Sequence, residues 1–137
     1  MRTEASMTTS ASATFTLDGW DEAPYEELAE GRKLTRASVQ QTFSGDIAGD
    51  GAVEWLMAYR PDDTADYVGL QRITGTLGGK SGTFVLSTAG TFDGQAASGT
   101  WTVLVGSGTE ELAGLTGTGT FTAPSGGEPT VSLEYDL

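Results

Sequence analysis

The chain contains no cysteine and no histidine. Disulfides, thiolate nucleophiles, Cys/His zinc sites, His-ligated haem and every Ser-His-Asp arrangement are thereby excluded. Proton transfer is left to carboxylates, Tyr, Lys and Arg. Bases are scarce: seven Lys and Arg stand against nineteen Asp and Glu, a net charge of −12 and an isoelectric point near 4.1. Such a field repels phosphate backbones and anionic lipid surfaces, so neither a nucleic-acid partner nor a membrane partner is expected. No apolar run approaches the length of a membrane-spanning helix, and Met1-Arg2-Thr3-Glu4-Ala5-Ser6 lacks the basic and apolar regions of a secretion signal. A cytoplasmic location is the expectation.

Gly and Thr are abundant, with 20 glycines and 21 threonines among 137 residues. That bias favours turns and strands over long helices, and the length suits one domain. Residues 1–11 read as a flexible polar tail and 12–137 as a single domain. Ala13, Phe15 and Leu17 alternate with polar neighbours, the two-residue period of a half-buried strand. Trp20 to Glu30, with Pro24 and many acids, reads as a loop with one helical turn at Tyr25 to Ala29. Lys33 to Phe43 puts Thr35, Ala37, Val39, Gln41 and Phe43 on one face, and Ala52 to Arg60 puts Val53, Trp55, Met57 and Tyr59 on one face. The segment Asp46 to Gly51 between them reads as a turn through its Asp-Gly step.

Further strands are expected at Tyr67–Leu77, Thr83–Thr88, Trp101–Val105, Gly119–Ala123 and Val131–Leu137, separated by turns rich in Gly, Pro and Asp. The pattern predicts an all-β fold: a single closed antiparallel eight-stranded β-barrel with little or no helix. Closure removes the exposed edges that an open sheet of this size must protect. Gly82-Thr83-Phe84, Gly90-Thr91-Phe92 and Gly119-Thr120-Phe121 recur too irregularly for a propeller or solenoid. Their glycines mark bends or close approaches.

Motif by motif, the chain offers no nucleotide or metal signature. Gly79-Lys80-Ser81 resembles the end of a phosphate-binding loop, but Thr74 stands where the first glycine belongs and a strand follows in place of a helix. Glu111 breaks the dinucleotide pattern begun by Gly106-Ser107-Gly108, and Ala48 and Met57 replace ligands in the calcium-loop pattern begun at Asp46. Asp62, Asp63 and Asp66 fit turn chemistry better than a cation site. No metal and no cofactor is expected.

Val105-Gly106-Ser107-Gly108-Thr109-Glu110-Glu111-Leu112-Ala113-Gly114-Leu115-Thr116-Gly117 and the terminal Leu133-Glu134-Tyr135-Asp136-Leu137 resemble a family of small bacterial proteins catalogued as a domain of unknown function. Trp20 to Tyr25, Phe43 to Gly49 and Gly78 to Leu86 support the likeness. The resemblance implies an eight-stranded antiparallel barrel with a central cavity, allene-oxide-cyclase-like and calycin-like, and a homo-oligomer. Distant relatives with such barrels include cyclases in which an aromatic cavity holds one substrate conformer. No catalytic residue carries over from them, and fold analogy warrants no activity.

A barrel of eight strands has room for side chains or for one small ligand. Trp55, Met57, Phe84, Leu86, Trp101 and Tyr135 either line a lumen that binds an apolar small molecule or form a packed core or subunit interface. Glu54 and Arg72 are charges in the middle of apolar strands, where burial is costly unless paired. Facing each other across a lumen they would polarise a ligand, with Tyr59 or Tyr135 as hydrogen-bond donor; on the outer face they would be solvated. Arg36, Gln40 and Gln71 are weaker lumen candidates. The readings are a barrel that binds a hydrophobic small molecule, a cofactor-free cyclase or isomerase that confines its substrate with Glu54, Arg72 or Tyr59 tuning charge, and a structural or protein-interaction module with a filled core.

Overall fold

Alternation of apolar and polar residues is realised in eight strands: β1 (Thr9–Glu27), β2 (Lys33–Gly45), β3 (Ile47–Tyr59), β4 (Ala65–Leu77), β5 (Lys80–Phe92), β6 (Ala96–Val103), β7 (Thr116–Pro124) and β8 (Thr130–Asp136). In this computed structural model, which describes residues 8–137, each strand pairs antiparallel with the next and β8 returns to β1, closing the barrel. Residues 1–7 of the expected tail lie outside the described residues. The inner face carries the core, including Ala37, Val39, Phe43, Ile47, Val53, Ile73, Phe84, Leu86, Leu133 and Val131. No helix among the described residues is long and apolar enough to cross a membrane.

β1 is the longest strand because it serves two partners. Thr9 to Thr14 pair with β8, whereas Ala13 to Glu27 pair with β2. The row Ala37, Trp55, Gly69, Thr88, Trp101, Gly119, Leu133 runs from β2 around to Ala11 on β1. Ala37 itself pairs with Glu22, much further along β1. This stagger is the shear that tilts strands and closes a barrel.

Three local expectations are corrected. The helical turn at Tyr25 to Ala29 is instead strand up to Glu27, held extended by the register Glu26 with Leu34 and Glu27 with Lys33. A register shift between Pro24 and Glu26 accommodates the proline, which has no N–H for a ladder, and a short 3-10 turn follows at Ala29–Gly31. The turn between β2 and β3 sits at Gly45-Asp46, so Asp50-Gly51 lies inside β3. Asp46 is stapled to β1, since its carboxylate accepts from the Ser12 N–H at 3.0 Å and its own N–H donates to the Ser12 carbonyl at 2.9 Å. Lastly, β6 ends at Val103, and Val105 is 85% exposed.

From Leu104 the chain leaves the barrel wall but stays tied to β5. Leu104 and Thr109 N–H groups donate to the Val85 and Thr83 carbonyls, both at 2.9 Å, and the Ser107 hydroxyl donates to the Val85 carbonyl at 3.0 Å. This segment folds Leu112 and Leu115 inward, both fully buried, beside Phe84 and Leu133 in one core. One end of the barrel is thus packed solid.

Candidate functional site

The opposite end of the barrel encloses a cavity of about 210 Å³. Its wall is aromatic: Phe15 and Trp20 from β1, Trp55 and Tyr59 from β3, Tyr67 from β4, Phe92 from β5, Trp101 from β6 and Phe121 from β7. Rings touch around it, with centroids 5.7 Å apart for Trp20 and Trp55, 5.2 Å for Trp55 and Tyr67, and 6.4 Å for Tyr67 and Phe121. Leu17 and Trp20, each nearly half exposed, stand at the mouth.

Space remains because small residues face the aromatics. Ala97 on β6 and Ala123 on β7 line the cavity. Glycines let large side chains lie flat on the wall. A Cβ at Gly69 would meet Trp55 Cδ1 at 2.6 Å and the Glu54 carbonyl at 2.1 Å, so only glycine fits beneath that indole.

Two amides are buried among these rings. Gln41 and Gln71, 3% and 1% exposed, line the cavity, and the Gln71 amide N–H donates to the Gln41 carbonyl. They meet across Gly51, where a Cβ would lie 3.0 Å from Gln41 Oε1 and 3.4 Å from Gln71 Nε2. The hydrogen bond offsets much of the cost of burying two amides.

One carboxylate, Glu22, is bonded to two residues of the cavity wall, Trp20 and Tyr59. Glu22, half-buried, accepts hydrogen bonds from Thr35 Oγ1 at 2.6 Å, Tyr59 Oη at 2.7 Å and Trp20 Nε1 at 3.0 Å. Burial pushes the Glu22 pKa up, but the hydrogen bonds from Thr35, Tyr59 and Trp20, aided by the Lys33 charge, outweigh it and leave the carboxyl below its ordinary range. Burial first, then the bond to Glu22 and its charge, push the Tyr59 phenol well above its ordinary value. Lys33 Nζ also stands 4.9 Å from the centre of the Tyr59 ring. Tyr59 is consequently a neutral phenol whose proton is committed to Glu22.

Of the residues expected to contact a ligand, Trp55, Met57 and Trp101 line the cavity. Phe84, Leu86 and Tyr135 do not. Phe84 and Leu86 are fully buried in the core, and Tyr135 Oη lies against the β4–β5 turn, 2.6 Å from where a Cβ of Gly78 would stand. Tyr59 lines the cavity, whereas Glu54 and Arg72 are both exposed on the outer face. The expectation that they face each other across the lumen is corrected by the register, since each neighbours inward residues Val53, Trp55, Gln71 and Ile73. Glu54 instead pairs outside with Arg36 Nε at 2.9 Å and Ser38 Oγ at 2.9 Å. These contacts lower its pKa, the Ser38 and Arg36 hydrogen bonds foremost.

Among the weaker candidates, Gln71 faces the lumen and Arg36 and Gln40 do not. Asp62 and Asp66 are engaged as the turn reading requires: Asp62 accepts from the Thr64 N–H at 3.1 Å and Asp66 pairs with Arg60 at 2.5 Å. Glu22 was not among the sequence candidates because it lies in the acidic stretch that reads as a loop; only its alternation with Trp20 on an extended chain would have revealed it.

Comparison with proteins of curated function finds no match. Among solved structures, the barrel is similar to the crystal structure of a protein of unknown function from the DUF3224 family of Shewanella oneidensis MR-1, with a TM-score of 0.74. The two are 26% identical, and the alignment covers 95% of this chain and 98% of that one. The family described as "Protein of unknown function (DUF3224)" matches residues 11–135, nearly the whole barrel, and the chain belongs to it.

Proposed function

We propose that the lumen binds one small apolar or amphipathic molecule. The observation that carries this reading is the aromatic cavity of about 210 Å³ set between a solidly packed barrel end and a mouth lined by Leu17 and Trp20. An apolar protein cavity of roughly 150 Å³ accepts benzene, so this one suits a single ring bearing a short substituent, about ten heavy atoms. Burial of such a ligand gives an expected Kd in the sub-millimolar range, roughly 0.1–1 mM.

All three tryptophans, Trp20, Trp55 and Trp101, line the cavity, so their fluorescence reports occupancy. Titration with cumene gives a saturable change in the native protein. In the variant carrying Ala97→Leu and Ala123→Leu, which fills the cavity from two walls, that change disappears while the circular dichroism is retained. Identical, non-saturable quenching in both proteins would defeat the proposal.

A second reading, a cofactor-free cyclase or isomerase, is favoured by one observation: the Glu22 carboxylate accepts a hydrogen bond from the phenol of Tyr59, which lines the cavity. Glu22 then takes the place first considered for Glu54, as a fixed negative charge that orients or stabilises a substrate. With its pKa lowered it is a weak general base.

A further inference from the structure

Three polar atoms on the inner wall have no hydrogen-bond partner among the described residues: Trp55 Nε1, Tyr67 Oη and Thr88 Oγ1. Their residues are 8%, 4% and 3% exposed. Buried polar groups are nearly always satisfied, and each that is not has given up its water without replacement. A group of such atoms in one place marks where a polar partner belongs.

Strand register brings the three together. Trp55 pairs with Gly69 on β4, and Gly69 pairs with Thr88 on β5. The indole lies across Gly69, its Cδ1 2.6 Å from where a Cβ would be, and Cδ1 is the atom bonded to Nε1. The N–H edge of the ring therefore overlies the strand that separates Trp55 from Thr88. Tyr67 lies two residues before Gly69 on the same inner face and pairs with Gly90. Its hydroxyl rests on that glycine, 2.9 Å from the position of a Cβ, and Gly90 is two residues beyond Thr88 on the same face of β5. All three orphans thus gather on the wall around Thr88 and Gly90. The absence of side chains at Gly69 and Gly90 is what lets the two aromatic heads reach it.

Donor chemistry fixes the partner. An indole N–H only donates, while hydroxyls of Tyr and Thr can donate or accept. The shared requirement is an acceptor oxygen. No Lys or Arg lines the cavity, so a buried carboxylate or phosphate would lack a counter-charge, and the Glu22 carboxylate, bonded to the lining residues Trp20 and Tyr59, repels an anion. A cation would find no carboxylate at the β4–β5 wall. Trp55 and Tyr67 line the cavity, whereas Thr88 stands beside them in the register without lining it. Resting on the reading of the lumen as a binding site, we infer that its ligand carries an uncharged acceptor, a carbonyl or ether oxygen, which is held by Trp55 Nε1 and Tyr67 Oη while its apolar ring packs among the aromatics.

Four probes of equal heavy-atom count test this by calorimetry: cumene, acetophenone, benzoate and 1-phenylethylammonium. Water favours release of cumene over acetophenone, so hydrophobicity alone ranks cumene first. Because the wall donors are already desolvated, an acceptor gains more from them than from a typical exchange with water. Acetophenone accordingly binds about tenfold tighter than cumene, and both charged probes bind more weakly than either. The variants Tyr67→Phe and Trp55→Phe each weaken acetophenone about fivefold more than they weaken cumene, and retained circular dichroism shows that both fold. Equal affinities for cumene and acetophenone, or equal losses for both in the variants, would overturn the inference while leaving the binding lumen intact. A preference for benzoate or for the ammonium would overturn it as well. Binding of none of the four would overturn the binding lumen itself.

Discussion

Replacing Gln71 with Leu should cost far more than replacing both Gln71 and Gln41. In the native barrel the Gln71 amide donates to the Gln41 carbonyl across Gly51, and both residues are essentially inaccessible to solvent. Gln71→Leu removes the donor and strands the Gln41 carbonyl in an aromatic interior, a penalty of about 1–3 kcal/mol. Gln41→Leu strands the Gln71 N–H in the same way. The double variant leaves nothing unsatisfied, keeps the volume nearly constant and exchanges two amides for hydrocarbon, so its stability returns to within about 1 kcal/mol of the native protein. Coupling in the double-mutant cycle is therefore about 3–4 kcal/mol in favour of the pair. For a domain of this size each kcal/mol moves Tm by about 3 °C, so each single variant melts about 6 °C low and the double variant recovers. Urea unfolding followed by circular dichroism gives the free energies. Additive effects, with coupling below about 0.5 kcal/mol, would refute the placement of these amides as a buried, mutually satisfied pair.

Other expectations follow from the same geometry. Gly69→Ala sets a Cβ 2.1 Å from the Glu54 carbonyl and 2.6 Å from the Trp55 ring, so it destabilises by about 2–3 kcal/mol in urea unfolding; a near-neutral result would contradict the packing of Trp55 on that strand. Glu54→Gln and Arg72→Met change exposed side chains on the outer face, and both leave cumene affinity unaltered and stability within about 0.5 kcal/mol. A lost or sharply reduced affinity in either would return those charges to the lumen. Because the folded-state pKa of Glu22 lies below its ordinary value of 4.5, its ionised form stabilises the fold at neutral pH, and that contribution is lost as pH falls below about 4.5. The native protein should lose urea resistance more steeply than Glu22→Gln between about pH 5 and pH 3; parallel profiles would remove Glu22 from the account.

The architecture was readable because the period of two persists through nearly every strand. In β2 and β3 the faces assigned from alternation, Thr35 to Phe43 and Val53 to Tyr59, are the faces that point inward. Errors arose where a local signal competes with pairing. Pro24 and the acids around it suppress the strand pattern in the second half of β1, yet β2 lies alongside and supplies the hydrogen bonds that hold it extended. Asp50-Gly51 looks like a hairpin turn because its glycine answers a demand for space beneath Phe43 and the Gln pair, which only tertiary structure reveals.

The site was half legible for a related reason. Hydrophobicity does not say which apolar residues face inward. On β4 the apolar Val68 and Leu70 are 56% and 57% exposed, while the polar Gln71 is buried. Nor does alternation say how far along the barrel axis a residue lies. Phe84, Leu86 and Tyr135 have the same inward orientation as Trp55 and Trp101 but pack away from the cavity. That difference depends on shear, and on the segment from Leu104 to Leu115 that fills the other end. Convergence of Trp55, Tyr67 and Thr88 is a property of register across β3, β4 and β5, and no linear motif announces it.

Crystallography of the protein under xenon pressure tests the central claim most directly, because xenon enters apolar protein cavities without needing any particular hydrogen bond. The account predicts a xenon site inside the barrel among Trp55, Tyr67, Trp101 and Phe121, lost when Ala97→Leu and Ala123→Leu fill the space. A lumen closed by side chains, with xenon absent from it, would contradict the account.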